Sequence, residues 1–335
     1  EVLSSLASLV LPASFSSPLS SGELELLERW VQAGGVLVVL ATPGAESLCG
    51  VTPVGSIEQS GGPFSPTCLL EYTPRVREEL GLDRRFLSPI IAPGRQVTPN
   101  TDAQLMGVLR DLRSGAELGA GLVLRRIGRG WTCYWAFDLA QAAWTAHQGR
   151  PVYVDRDGLG YLRTTCSMLL GDADWDLPHI DLMLFVLREV LRLSGQVFVE
   201  ALPPVEGRPA DCLLCWGGDE EGAKGTAAWA SNWMAGRGLP YHVNVMPDAQ
   251  GTFACTPQEV DDIRARGHEV SLHLNLMDGR KHPSGFTQED IGQQVESFVR
   301  HFGFVPNTVV FHWVRWYGWT EPAQWLAELG VRGDN

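Results

Sequence analysis

Apolar and polar positions along the chain alternate between two rhythms, and the rhythms predict elements. Leu9-Val-Leu11 is a short apolar strand closed by Pro12. Ser21 is placed to cap a helix whose Leu24, Leu27 and Val31 share one face, and Gly34 and Gly35 stop it. Val36 to Leu40 is apolar without a break, as in a parallel strand covered on both faces. Residues 50–130 are rich in turns and give no clear period. Two strands are expected around Gly128-Arg-Gly130 within 121–139, and a helix near 179–193 carrying Leu182, Phe185, Val186 and Val190 as its stripe.

Past a Pro- and Gly-rich stretch, Leu202 to Pro209, the rhythm becomes regular. Strands are expected at Cys212–Trp216, Tyr241–Val245, Val270–Leu272 and Val309–Phe311. Helices are expected at Thr226–Arg237, from Thr256 to Gly267, from Thr287, and from Thr320 to Leu329. Thr256-Pro-Gln-Glu259 reads as a capping box with Pro at the first helical position. Thr287-Gln-Glu-Asp290 starts the next helix, with Phe286 and Ile291 as a hydrophobic staple and Ile291, Val295, Phe298 and Phe302 as its buried stripe. Strand–helix alternation at this spacing means parallel strands with crossover helices, in an open sheet or a barrel. In both, chemistry belongs at the carboxyl ends of the strands.

Composition changes this picture little. The chain has 335 residues, room for two domains, with 44% apolar and 19% charged residues, as in an ordinary globular protein. The net charge of −13 argues against nucleic acid as a partner. No apolar run reaches the roughly 20 residues of a membrane span. The chain begins with Glu1, so compartment stays open. Seven cysteines are scattered; Cys212 and Cys215, three apart in an expected strand, read as buried thiols rather than a zinc knuckle.

The strand-end rule isolates a short list. The first strand of the second half runs into Gly217-Gly-Asp-Glu-Glu-Gly222, the third into His273-Leu-Asn275, the fourth into His312-Trp-Val-Arg-Trp-Tyr-Gly318. Carboxylate and imidazole are the ligand set of a catalytic divalent ion with an open position, and adjacent carboxylates can divide the work between binding the ion and taking a proton.

These residues resemble the polysaccharide deacetylase (NodB-homology) domain of carbohydrate esterases. Trp216-Gly-Gly-Asp-Glu-Glu-Gly222 stands where that family has Thr-Phe-Asp-Asp-Gly. Gly267-His-Glu-Val-Ser-Leu-His273 matches its Gly-His-Glu-Val/Ile-Gly-x-His, the most specific of the motifs. Phe311-His-Trp-Val-Arg-Trp-Tyr-Gly318 is a loose relative of Phe-Arg-x-Pro-Tyr-Gly. The resemblance implies an irregular (β/α) barrel over 210–335 and a hydrolase that removes acetyl groups from a carbohydrate by attack of water bound to a divalent metal, most often Zn2+. By position Asp219 is the general base, and Glu220, His273 and His282 the metal ligands. A frame shifted to Glu220 and Glu221 stays open, as do Asn275 and Asp278 in place of His282. The family's second histidine falls on Met277, a thioether ill suited to zinc. His312 stands in the place of the family arginine, with Arg315 three residues on; either can ligate metal or orient substrate. Arg315 is placed with Asp219 among the catalytic residues, and His312, Trp313, Trp316 and Tyr317 among the substrate contacts. Two later family motifs would lie beyond Asn335, so the domain is expected to be incomplete.

Residues 1–201 more weakly resemble a class I glutamine-amidotransferase-like module, flavodoxin-like in fold, through Trp30-Val-Gln-Ala-Gly-Gly-Val-Leu-Val-Val and Ala136-Phe-Asp-Leu139. Leu48-Cys-Gly50 lacks the first glycine of a nucleophile elbow, so the module is expected to be accessory, non-catalytic and incomplete, joined through 202–209 to the second domain. The competing expectation for the whole is a deacetylase-like module without catalysis that binds polysaccharide, motivated by Met277. His147, His179, His242, His268 and His301 are expected to serve structure, and Trp229 and Trp233, four apart on one helix, to face the core.

Overall fold

The computed structural model describes residues 3–13, 18–82, 85–169, 177–196, 216–277 and 285–334. They fall into two compact units, Glu1–Gly149 with Met168–Val199, and Arg150–Ser167 with Glu200–Asn335. The expected linker at 202–209 lies outside the described residues, as do Cys212 and Cys215. A segment from the middle of the chain, Arg150–Ser167, belongs to the second unit rather than the first.

The first unit runs β1 (Ser8–Leu11), α1 (Ser21–Gln32), β2 (Val36–Leu40), β3 (Val51–Ile57), β4 (Cys68–Tyr72), α2 (Pro74–Glu79), β5 (Ser88–Ile90), β6 (Gly94–Pro99), β7 (Ala103–Arg110), β8 (Glu117–Ile127), β9 (Gly130–Trp135), α3 (Leu139–Gln148) and α4 (His179–Arg192). Ser20, not Ser21, caps α1, in a reciprocal capping box with Glu23. Among the described residues the main sheet has seven strands in the order β1-β2-β9-β8-β7-β4-β5. Only the β1–β2 and β2–β9 pairs are parallel; the pairs from β9 to β5 are antiparallel. The sheet is therefore mixed, not the uniformly parallel sheet of a flavodoxin-like fold. The reason is local: tight turns such as Gly128-Arg129 return the chain beside itself, so 50–130 builds hairpins where crossover helices would be needed for parallel pairing. At Gly130 a Cβ would stand 2.1 Å from the Val31 carbonyl oxygen, so the closing turn of α1 and the start of β9 meet backbone to backbone. Val36 to Leu40 are buried throughout and join Leu122, Trp135 and Phe137 in the core.

The second unit runs β10 (Gly217–Glu220), α5 (Thr226–Ala235), β11 (His242–Val245), α6 (Pro257–Ala265), β12 (Glu269–Leu274), α7 (Gln288–Phe302), β13 (Thr308–Phe311), α8 (Glu321–Glu328) and β14 (Gly333–Asp334). Among the described residues its sheet has five strands in simple sequence order, every pair parallel. An order without reversal, with right-handed crossovers, keeps every helix on one face. That is the arrangement of an opened (β/α) half-barrel, and it differs from a doubly wound sheet, whose order reverses.

Side-chain alternation divides this sheet. Val243, Val245, Val270, Leu272, Leu274, Val309 and Phe311 pack against Val260, Ile263, Ile291, Val295, Phe298 and Leu326 from the helices. The opposite face carries Asp219, His242, Asn244, Ser271, His273 and Thr308. Thr256 and Thr287 cap α6 and α7 as the sequence predicts. Trp229 and Trp233, expected in the core, are instead 70% and 46% exposed, because α5 turns Ala227, Ser231 and Met234 inward. Among the described residues no helix is long and apolar enough to cross a membrane.

Candidate functional site

The site is built at the carboxyl ends of β10, β12 and β13. The expected strand at 212–216 lies almost entirely outside the described residues; the described strand begins at Gly217 and continues through the acids to Glu220. This fixes where each acid points. Asp219 pairs with Asn244 in the ladder and shares its face. The Asn244 amide donates to Asp219 Oδ1 at 2.8 Å. Glu220 turns to the other face and is buried, its Oε1 accepting from the Gly222 amide at 2.8 Å. Burial pushes its carboxyl above the usual range, and Glu259 and Glu221 add to the rise. Gly218, also on that face, leaves room for Tyr241: a Cβ there would stand 1.9 Å from its hydroxyl oxygen. The glycine thus admits a packing partner. Glu221, just past the strand, returns to the polar face.

His273 on β12 is buried, and among the described residues its Nδ1 has no hydrogen-bond partner. That nitrogen lies 4.0 Å from Asp219 Oδ1. Burial holds its pKa below the usual imidazole range; Asp219 and Glu221 pull the other way, and neighbouring His312 adds to the depression. His312, one residue past β13, places its Nδ1 3.1 Å from Glu221 Oε1 and its ring 5.0 Å from that of His273. Ligand atoms of Glu221, His273 and His312 all lie within 4.8 Å of one another. Tetrahedral zinc at the usual bond lengths needs ligand separations of about 3.3 Å, so a modest closure of side chains suffices. A buried imidazole nitrogen without a partner, an exposed carboxylate and a second imidazole are chemically what a divalent ion asks for.

The grouping differs from the sequence expectation residue by residue. Glu220, expected to ligate, is turned away by strand alternation; Asp219 and Glu221 stand on the polar side with the histidines, a pairing that neither the Asp219–Glu220 frame nor the shifted Glu220–Glu221 frame contains. His312, placed among the substrate contacts with metal ligation left open, lies with Glu221 and His273. His282 and Asp278 lie outside the described residues. Asn275 is buried and serves the backbone: its side-chain amide donates to the Pro247 carbonyl at 3.0 Å, and its peptide N–H to Gln294 at 2.7 Å. Arg315, expected to be catalytic, is 1% exposed. Its Nη1 donates to the Leu276 carbonyl at 2.8 Å and meets Met277 Sδ at 3.3 Å, and its Nη2 donates to the Gly285 carbonyl at 3.4 Å. It holds both flanks of the loop after β12.

The aromatic residues separate in the same way. Trp316 packs on Phe311 and donates its indole N–H to the Trp319 carbonyl; Tyr317 packs on Phe286 and Tyr153. Trp313 is 55% exposed and sits 5.7 Å, ring to ring, from His312. It and Val314 adopt left-handed backbone, φ 56° and 47°, a conformation that costs on the order of 1–3 kcal/mol for such residues and recurs at functional sites. Sequence reasoning missed Asn244 and Tyr161, whose ring lies 5.4 Å from Trp313, and held Glu221 only within the shifted frame.

The histidines expected to serve structure do so where their partners are visible. His268 Nε2 faces the Ser231 carbonyl at 2.9 Å, His301 Nε2 the Cys255 carbonyl at 3.2 Å, and His179 Nδ1 the Ser88 hydroxyl at 3.1 Å. In the first unit Cys49 is fully buried, and burial pushes its thiol up to about 12, the reverse of an activated nucleophile.

No protein-family model matches the chain, and no curated protein matches it. Among solved structures it is similar to an exo-β-1,4-mannosidase from Opitutaceae bacterium strain TAV5, with 14% identity over 42% of this chain and 22% of that one, TM-score 0.28. It is similar to a β-galactosidase from Bacillus circulans sp. alkalophilus, with 13% identity over 39% and 20%, TM-score 0.31. It is also similar to α-L-fucosidase isoenzyme 2 from Paenibacillus thiaminolyticus, with 17% identity over 56% and 25%, TM-score 0.34. The chain spans a quarter or less of the length of these enzymes, and likeness at this level carries no argument about what it does.

Proposed function

We propose that the second unit is a metal-dependent hydrolase that removes acetyl groups from a carbohydrate, with Glu221, His273 and His312 holding a divalent ion, Zn2+ by the imidazole and carboxylate donor set. The observation that carries this reading is the convergence of those three side chains beside Asp219 at successive strand ends. A bound ion supplies Lewis acidity and lowers the pKa of water. The chain's own groups then have distinct tasks. His273, kept neutral by burial, offers a lone pair rather than a proton. Asp219 is steadied through one oxygen by Asn244, and its side chain is 46% exposed, so it can take a proton from water approaching the site. Two carboxylates, one holding and one proton-accepting, are in keeping with the division of labour that the deacetylase resemblance implies, with the base kept at Asp219 and the holding acid one residue later than expected.

The first unit is proposed to be an accessory, non-catalytic module, since Cys49 is fully buried and its thiol is pushed up to about 12. A polysaccharide-binding module without catalysis is the second reading. Met277 favours it, because its sulfur faces Arg315 where the family has a histidine.

Elemental analysis of the purified chain beside His273→Ala tests the first reading. One divalent ion per chain, lost in the variant, is expected; Asp219→Asn should keep the ion and lose turnover of an acetylated saccharide by at least about 100-fold, the low end for a general base. A folded chain that binds no ion, or an Asp219→Asn enzyme of unchanged rate, overturns it.

A further inference from the structure

We infer that Tyr161 and Trp313 form a stacking subsite for an equatorially substituted, uncharged pyranose ring, placed directly beside the proposed metal trio and built in part from the Arg150–Ser167 segment. The inference rests on the reading of Glu221, His273 and His312 as the reacting centre, and it adds to it a residue from outside the deacetylase-like sequence. The rings form a continuous run: His273 to His312 at 5.0 Å, His312 to Trp313 at 5.7 Å, Trp313 to Tyr161 at 5.4 Å with a 47° tilt. A ligand reaching outward from His312 meets the indole first and the phenol next.

The placement is built rather than incidental. Trp313 stays more than half exposed on a turn whose backbone is left-handed at two successive non-glycine residues. Exposing an indole and straining its backbone are both unfavourable, so the surrounding chain must enforce them. On the Tyr161 side the loop is tied by its own carboxylates. Asp155 accepts from the Gly158 and Gly160 amides at 2.8 Å each, and Asp157 from the Leu159 amide, Arg163 Nε at 2.7 Å and the Thr165 hydroxyl. These carboxylates are consumed by the loop, so the cluster of Asp155, Asp157 and Cys166 is a scaffold for Tyr161. The segment is fastened by Val152 and Gly318 exchanging backbone hydrogen bonds at 2.7 and 3.0 Å and by Trp316 N–H donating to the Leu162 carbonyl at 3.3 Å. Val152, Leu162 and Cys166 bury against Trp316 and Tyr317. The aromatic pair is thus held before a ligand arrives, which limits the ordering cost of binding.

The chemistry of the surroundings selects the ligand class. Asp219 and Glu221 are half exposed beside the run of rings, which disfavours an anionic sugar. A pyranose with equatorial substituents turns its axial C–H bonds toward an aromatic face; Arg163, tied to Asp157, lies over the Tyr161 ring at 5.7 Å, which leaves the Trp313 side as the face offered to the sugar.

Isothermal titration of the full chain with tetra-N-acetylchitotetraose and with cellotetraose tests the subsite, with circular dichroism to verify folding. Wild type is expected to bind at least one. Trp313→Ala and Tyr161→Ala should each weaken binding about tenfold, the factor that ~1.4 kcal/mol represents, whereas Tyr161→Phe stays within about twofold of wild type on that scale. Failure of wild type to bind either tetramer, or unchanged affinity in folded Tyr161→Ala and Trp313→Ala, overturns the inference. The two proposals fail separately. Tetramer binding that depends on both rings in a chain without metal keeps the subsite and removes the hydrolase. A metal-loaded, active chain whose Kd and KM ignore both rings does the reverse.

Discussion

At the scale of single residues, one peptide unit decides the candidate ligand set. Asp219, Glu220 and Glu221 are consecutive acids, and in a strand consecutive side chains point to opposite faces. Once β10 extends to Glu220, Glu220 falls on the helix-packed face near Cys255, whose thiol burial, Glu220 and Glu259 push up to about 12. Glu221 falls toward His312. The expected outcome is a clean asymmetry. Glu220→Gln should keep the bound ion, and Glu221→Gln should weaken it by at least about tenfold, the low end of what losing even a group that only supports a ligand costs. Competition with a chromophoric chelator measures both. Equal retention in the two variants would remove Glu221 from the site. Arg315 is turned away for a different reason: the turn at His312–Val314 changes direction, and Arg315 enters the interior, where it donates to the Leu276 and Gly285 carbonyls.

At the scale of elements, the caps and stripes were legible because they are local. Ser20 with Glu23, Thr256 with Glu259 and Thr287 with Asp290 all form reciprocal boxes, and the α7 stripe of Ile291, Val295, Phe298 and Phe302 is buried as its spacing requires. The antiparallel half of the first unit was not legible, since strand partners there are chosen by contacts far apart in sequence. One of them is electrostatic. Glu71 on β4 accepts from Arg110 on the neighbouring β7 and from Arg85. Burial pushes the Glu71 carboxyl up, but the two guanidinium groups outweigh it and leave the pKa below the usual carboxylate range. A depressed carboxyl stabilises the fold at pH above the unfolded value of about 4.3 and loses that contribution as pH falls through the folded value. Glu71→Gln is therefore expected to lower the stability of the first unit by about 1 kcal/mol at pH 7, with the gap to wild type narrowing below about pH 4. Urea unfolding at pH 7 and pH 3 measures it; a gap that widens on acidification contradicts the assignment.

At the scale of the whole molecule, the two units have separate cores, one around Val36 to Leu40, Trp135 and Phe137, the other around Phe298, Leu272 and Val295. An ion that binds only the folded second unit should stabilise it by about 2.7 kcal/mol at 100 times its Kd. Calorimetry is expected to show two transitions. The one lowered by Phe298→Ala should rise with Zn2+, and the one lowered by Leu37→Ala should stay in place. Movement of the Leu37-sensitive transition with zinc would place the ion elsewhere.

Periodicity, caps and glycine stops act within a few residues, so the sequence by itself determined the helices of the second unit, its parallel strand–helix alternation and the strand ends where polar groups gather. It brought Asp219, His273 and His312 into one neighbourhood for the same reason. Only the tertiary structure decided which acid faces the histidines, because that depends on the residue at which β10 ends, and a shift of one position reverses every side chain. Only the tertiary structure, too, joined Tyr161 to Trp313. Their segments are about 150 residues apart in the chain, and the backbone pairing of Val152 with Gly318 that aligns them leaves no local pattern to read.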